Sequence, residues 1–89
     1  MKKYIYIVVL MCIGMQAYAQ TYEELVGKAM DAVEADSLYD AEKFFKEALN
    51  KEPANMGNSL LLSNLGTIQR RMGKNKEALE SYTLALNKS

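Results

Sequence analysis

From Tyr22 onward, apolar residues recur at spacings of three and four, and no run alternates apolar and polar residues with β-branched enrichment. This pattern predicts four amphipathic helices and no strand. The first begins at Thr21, where Thr21 and Glu24 fit a capping box. Its apolar positions are Tyr22, Leu25, Val26, Ala29, Met30, Ala32 and Val33. Asp36-Ser37 supplies a turn or N-cap for a second helix carrying Leu38, Ala41, Phe44, Phe45, Ala48 and Leu49. Pro53 ends that helix, because proline lacks an N–H and clashes with the preceding turn. Asn55–Asn58, with Gly57 inside it, reads as a loop leading into a third helix marked by Leu61, Leu65, Ile68 and Met72. Gly73 closes the third helix with a residue that tolerates left-handed backbone angles. A fourth runs from about Asn75, with Ala78, Leu79, Tyr82, Ala85 and Leu86.

The N-terminus follows a different pattern. Lys2 and Lys3 precede an apolar run from Tyr4 to Met15, and Ala17-Tyr18-Ala19 supplies a small-x-small cleavage box. Together these features predict a secretory signal peptide over residues 1–19, cleaved after Ala19. The run is shorter than the roughly 18–20 apolar residues a spanning helix needs, which favours a leader over a retained anchor. The only cysteine, Cys12, follows Met11 rather than a small residue, a poor context for lipid attachment. The mature part would hold no cysteine and hence no disulfide. Two of the eleven basic residues leave with the leader, so nine face eleven acidic ones, a net charge of −2. That balance argues against a nucleic-acid partner.

The second and fourth helices repeat one another. Ala48-Leu49-Asn50-Lys51 recurs as Ala85-Leu86-Asn87-Lys88, an offset of 37 residues. The same offset pairs Ala41 with Ala78, Phe45 with Tyr82 and Asp40 with Glu77. A small residue at a crossing point lets two helices approach, and an aromatic four residues on fills the adjacent groove. Such a helix pair buries its face by stacking on a copy of itself. A plain four-helix bundle would also explain four amphipathic helices, but not the recurring tetrapeptide.

The stretch Leu65-Gly66, Gly73, Ala78, Tyr82, Ala85 resembles the tetratricopeptide repeat. Residues 59–89 carry that pattern, with Gln69 where the family usually has a tyrosine. Residues 20–55 carry it in the second helix only: Ala41, Phe45, Ala48 and Pro53 fall at the expected spacings. There Lys28-Ala29 stands in place of Leu-Gly, and Asp36 in place of the turn glycine. The family period is about 34 residues, and the three extra residues fall at 56–58. The resemblance implies an all-α fold of two antiparallel helix hairpins forming a short right-handed solenoid. It also implies a concave groove lined by the first helix of each pair. Carried over by position, Val26, Met30 and Val33 would line it from one repeat. Ser63, Asn64, Thr67, Arg70 and Arg71 would line it from the other. Arg70 and Arg71 could receive a carboxylate there by bidentate hydrogen bonds.

Chemistry is sparse. The chain has no histidine, and its mature part no cysteine, which removes the usual zinc, haem, thiolate and serine–histidine sites. No calcium-loop or phosphate-loop spacing occurs. No metal, cofactor or catalytic residue is expected. The chain reads as an exported, non-enzymatic scaffold that holds a protein or peptide partner in the periplasm or outside the cell. A structural role is the competing expectation: a self-associating protein, or a piece of a longer repeat array. It rests on the face around Leu79, Tyr82 and Leu86, which is expected to stay partly open.

Overall fold

The computed structural model describes residues 20–88, so the leader expected over residues 1–19 lies outside it. Four helices follow in order: α1 (Tyr22–Glu34), α2 (Leu38–Lys51), α3 (Asn58–Arg71) and α4 (Asn75–Lys88). No strand occurs among the described residues. Helices neighbouring in sequence are neighbours in space: α1 lies on α2, α2 on α3 and α3 on α4. The start of α1 meets the start of α3, where the Tyr22 hydroxyl donates to Asn58 Oδ1 at 2.9 Å. Their ends meet too, where Arg71 reaches Asp36 at 2.7 Å. Helices α1 and α3 therefore run parallel, and the chain is two stacked hairpins.

Local chemistry sets each boundary. Thr21 caps α1, its hydroxyl accepting the Glu24 N–H at 3.1 Å. Both hairpin turns use one device. After α1 the Ser37 N–H donates back to the Ala32 carbonyl at 2.8 Å, with Asp36 at φ 58°. After α3 the Lys74 N–H donates to the Gln69 carbonyl at 2.8 Å, with Gly73 at φ 82°. Each is a six-to-one closure around a left-handed residue. The two are 37 positions apart, so Asp36 adopts the conformation that glycine supplies in the second hairpin. Aspartate is among the few side chains that enter this region at modest cost.

The connection between hairpins is tied down. Asn55 Oδ1 accepts the Gly57 N–H at 2.7 Å, and its amide donates to Glu52 Oε1 at 3.0 Å. Asn58, only 1% exposed, begins α3 and donates to the Glu52 carbonyl at 2.8 Å. This one side chain joins the start of α1, the end of α2 and the start of α3. Burial, with Glu52 and Glu23 adding negative charge nearby, raises the Tyr22 pKa and keeps its phenol a donor.

The core runs through both hairpins. It contains Leu25 and Ala29 of α1, Ala41, Phe45 and Ala48 of α2, and Leu61, Leu65 and Ile68 of α3. Ala29, Ala41 and Ala48 are fully buried small residues, which brings the backbones together around Phe45. Phe44 packs partly buried against this core, with the ammonium groups of Lys28 and Lys43 each 5.7 Å from its ring centroid. In the second hairpin the close approach is tighter still. A Cβ at Gly66 would lie 2.9 Å from the Tyr82 ring, whereas a Cβ at Gly27 meets nothing within 4 Å.

These two helical glycines should respond oppositely to alanine. Gly27→Ala should stabilise the fold by about 0.5–1 kcal/mol through helix propensity. Gly66→Ala gains the same term but must displace the Tyr82 ring, and overpacking of about 1–3 kcal/mol makes it destabilising. Urea unfolding of both variants beside the parent checks the opposite signs.

Candidate interaction surface

The first helices of the two pairs, α1 and α3, line a groove. It holds a cleft of about 100 Å³ lined by Met30, Val33, Asn64, Thr67, Ile68 and Arg71, together with the fully buried Phe45 of α2. Five of the eight groove residues expected from sequence meet there: Met30, Val33, Asn64, Thr67 and Arg71. Met30 is 45% exposed and gives the cleft an accessible apolar wall. Val26 is half-buried and leans on the core instead. Ser63 lines a separate depression with Ser59, Leu60, Tyr82, Ala85 and Leu86. Arg70 is exposed and does not line the cleft.

The arginine pair is therefore divided. Arg71 already holds a carboxylate, that of Asp36, and both groups remain largely open to water. Such a surface ion pair contributes about 0–1 kcal/mol and can exchange its carboxylate for another. Thr67 is also engaged, sharing a hydrogen bond of 2.9 Å with the Tyr82 hydroxyl. That bond fixes the aromatic ring lying against Gly66.

The strongest polar feature was not apparent in the sequence. Glu42 on α2 is buried between the hairpins. Its Oε1 accepts from Lys74 Nζ at 2.9 Å and its Oε2 from the Gln69 amide at 3.3 Å, with Lys46 at 3.6 Å. The Gln69 carbonyl oxygen in turn accepts from the Ser81 hydroxyl at 2.6 Å. One connected set of side chains thus spans α2, α3, the second turn and α4. No buried side-chain polar atom among the described residues lacks a partner. The signal that could have revealed Glu42 is the 37-residue offset, which places it opposite Leu79 and so on the face of α2 that meets the next pair.

Burial is the largest influence on the Glu42 carboxyl and would lift its pKa. The hydrogen bonds from Lys74 and Gln69, with the charges of Lys46 and Lys74, outweigh it and hold the pKa below the ordinary 4.5. Lys74 is raised above its ordinary 10.5, first by the hydrogen bond to Glu42. A carboxyl with a depressed pKa adds stability that is fully present above its unfolded value and disappears as pH falls through the folded one. For Lys74 the contribution is present below 10.5 and is lost as pH rises through the folded value.

Among the described residues, no group of histidine, cysteine, aspartate or glutamate could hold a metal ion. No helix among them is long and apolar enough to cross a membrane.

Two parallel-stacked helix hairpins, a left-handed turn residue in each and a groove between their first helices define a tetratricopeptide-repeat protein, and this chain is one. A solved structure resembles it in sequence and fold: the crystal structure of a tetratricopeptide repeat protein from Parabacteroides merdae ATCC 43184 at 2.39 Å resolution. The two are 57% identical with a TM-score of 0.73, over 74% of this chain and 26% of that one. This chain thus spans about a quarter of that protein's length. No family model matches the chain, and the comparison with curated proteins gives no match.

Replacing Glu42 with Gln removes the titrating charge but keeps a hydrogen-bonding group in its place. The variant should lose about 1 kcal/mol at neutral pH. Its stability should also fall less steeply than the parent's as pH drops below 4.5. Urea unfolding across a pH series measures both effects.

Proposed function

We propose that this protein is an exported scaffold that holds a protein or peptide segment along the groove between α1 and α3. The single observation supporting the groove is its lining. An accessible apolar wall at Met30 and Val33 shares the cleft with the side-chain amide of Asn64 and the buried ring of Phe45. That combination suits an extended segment presenting one apolar side chain beside backbone groups that need partners. Arg71 lies at one end, where an acidic residue of the partner could replace Asp36 as its carboxylate. Export is supported by the sequence alone, through Lys2-Lys3, the apolar run and Ala17-Tyr18-Ala19.

One preparation tests both parts. The full chain with a C-terminal tag, expressed in a Gram-negative host, should appear outside the cytoplasm with Gln20 as its first residue. Captured from the envelope fraction, it should carry a partner whose retention drops by roughly tenfold or more in a folded Met30→Glu variant, as at a hot-spot position. Cytoplasmic material that still begins at Met1 would rule out export. Capture unaffected by Met30→Glu would rule out the groove.

A further inference from the structure

The turn after α1 holds a carboxylate where the backbone favours glycine. Asp36 sits at φ 58°, and the matching position of the second hairpin, 37 residues on, is Gly73 at φ 82°. A β-carbon is disfavoured in this left-handed region, which glycine enters freely. Glycine at position 36 would therefore suit the turn better, but it would carry no charge. The side chain kept at that cost reaches a residue 35 positions away, where Asp36 Oδ1 accepts from Arg71 Nη2 at 2.7 Å.

Arg71 lines the cleft with Met30, Val33 and Asn64. Its pairing with Asp36 has the form of a placeholder. The contact is one hydrogen bond, whereas a guanidinium can give a carboxylate two parallel ones. The Asp36 side chain is 75% exposed and that of Arg71 45%, so both are accessible to an incoming group. The pair is not what holds the hairpins in register, because the shared core and the buried Glu42 set already do so.

We propose that Asp36 is a built-in competitor for the Arg71 end of the groove. It occupies the guanidinium in the free protein and yields to a partner segment whose acidic side chain makes the two-bond pair. A segment that is neutral at this position leaves Asp36 in place and gains nothing from Arg71. Asp36 thereby sets the threshold for acidic partners and discourages loose contact with other carboxylates. The role presupposes that the groove between α1 and α3 binds a segment.

Two labelled peptides test this role, one with a leucine followed by three glutamates and one with a leucine followed by three glutamines. Each is titrated at low salt, where screening is weakest, into the full chain and its variants. Fluorescence anisotropy reads binding, and urea unfolding confirms that each variant folds. Asp36→Asn keeps a residue that tolerates the left-handed turn and removes the charge. It should bind the glutamate peptide roughly threefold to fivefold tighter than the parent does, the range set by losing a competing surface ion pair. Its affinity for the glutamine peptide should not change. The gain should vanish in an Arg71→Gln background. Glu34→Gln, which removes an equal charge from the end of α1, should give no comparable gain. A gain that persists without Arg71, or that Glu34→Gln reproduces, overturns the proposal. If both peptides bind and Asp36→Asn changes neither affinity, the groove stands and the competitor falls. If neither peptide binds any variant, both fall.

Discussion

Phe45 has no exposed surface, and the core that encloses it draws on both hairpins, with Leu25 and Ala29 of α1 and Leu61, Leu65 and Ile68 of α3. It lines the cleft between α1 and α3, and its ring is enclosed only when α3 rests on α2. A fully buried aromatic ring removes about 150–250 Å² from water, and Phe45 is the largest fully buried side chain of this core. The rest of the architecture follows from this dependence. Ala41 and Ala48 flank Phe45 on α2 so that neighbouring helices can come close. The loop from Glu52 to Asn58 is fixed by hydrogen bonds so that α3 begins where it can close over the ring.

The apolar contact is non-directional and would tolerate sliding. The Glu42 network supplies the register. A buried carboxylate that must meet both Lys74 and Gln69 allows α2 only one position against the second hairpin. Buried polar sets of this kind add little net stability compared with apolar replacements, yet penalise every arrangement that leaves a member unpaired. Gln69 stands where the family usually has a tyrosine. Its amide donates to Glu42 while its carbonyl oxygen accepts from Ser81. Both bonds tie the residue at this departure from the family pattern to the carboxylate opposite it and to α4.

Much of the fold was legible in the sequence. Thr21, Pro53 and Gly73 marked helix ends through local backbone chemistry, and local chemistry survives without tertiary context. The recurrence of Ala, aromatic and Ala revealed the pairing of hairpins. Periodicity alone was less reliable for individual side chains. Leu79 and Leu86 have the spacing of core residues yet are exposed, as expected for the face around Leu79, Tyr82 and Leu86. Asn58 read as loop yet is buried, since its amide serves three elements that are distant in sequence. Nothing in the residues next to Glu42 marks it as buried, because its partners lie 27 and 32 residues away. In the groove, five of the positions carried over from the family pattern line one cleft. Arg70 was separated from Arg71 because adjacent residues on a helix point about 100° apart.

The central claim is that the two hairpins form one cooperative unit coupled through Phe45. Native-state hydrogen exchange on a Phe45→Ala variant tests it most directly. Loss of the ring should cost about 3–5 kcal/mol. Protection in α1–α2 and in α3–α4 should then fall together by a similar factor. Protection that collapses in α1–α2 while α3–α4 keeps its parent value would show two independent hairpins, and would contradict the account.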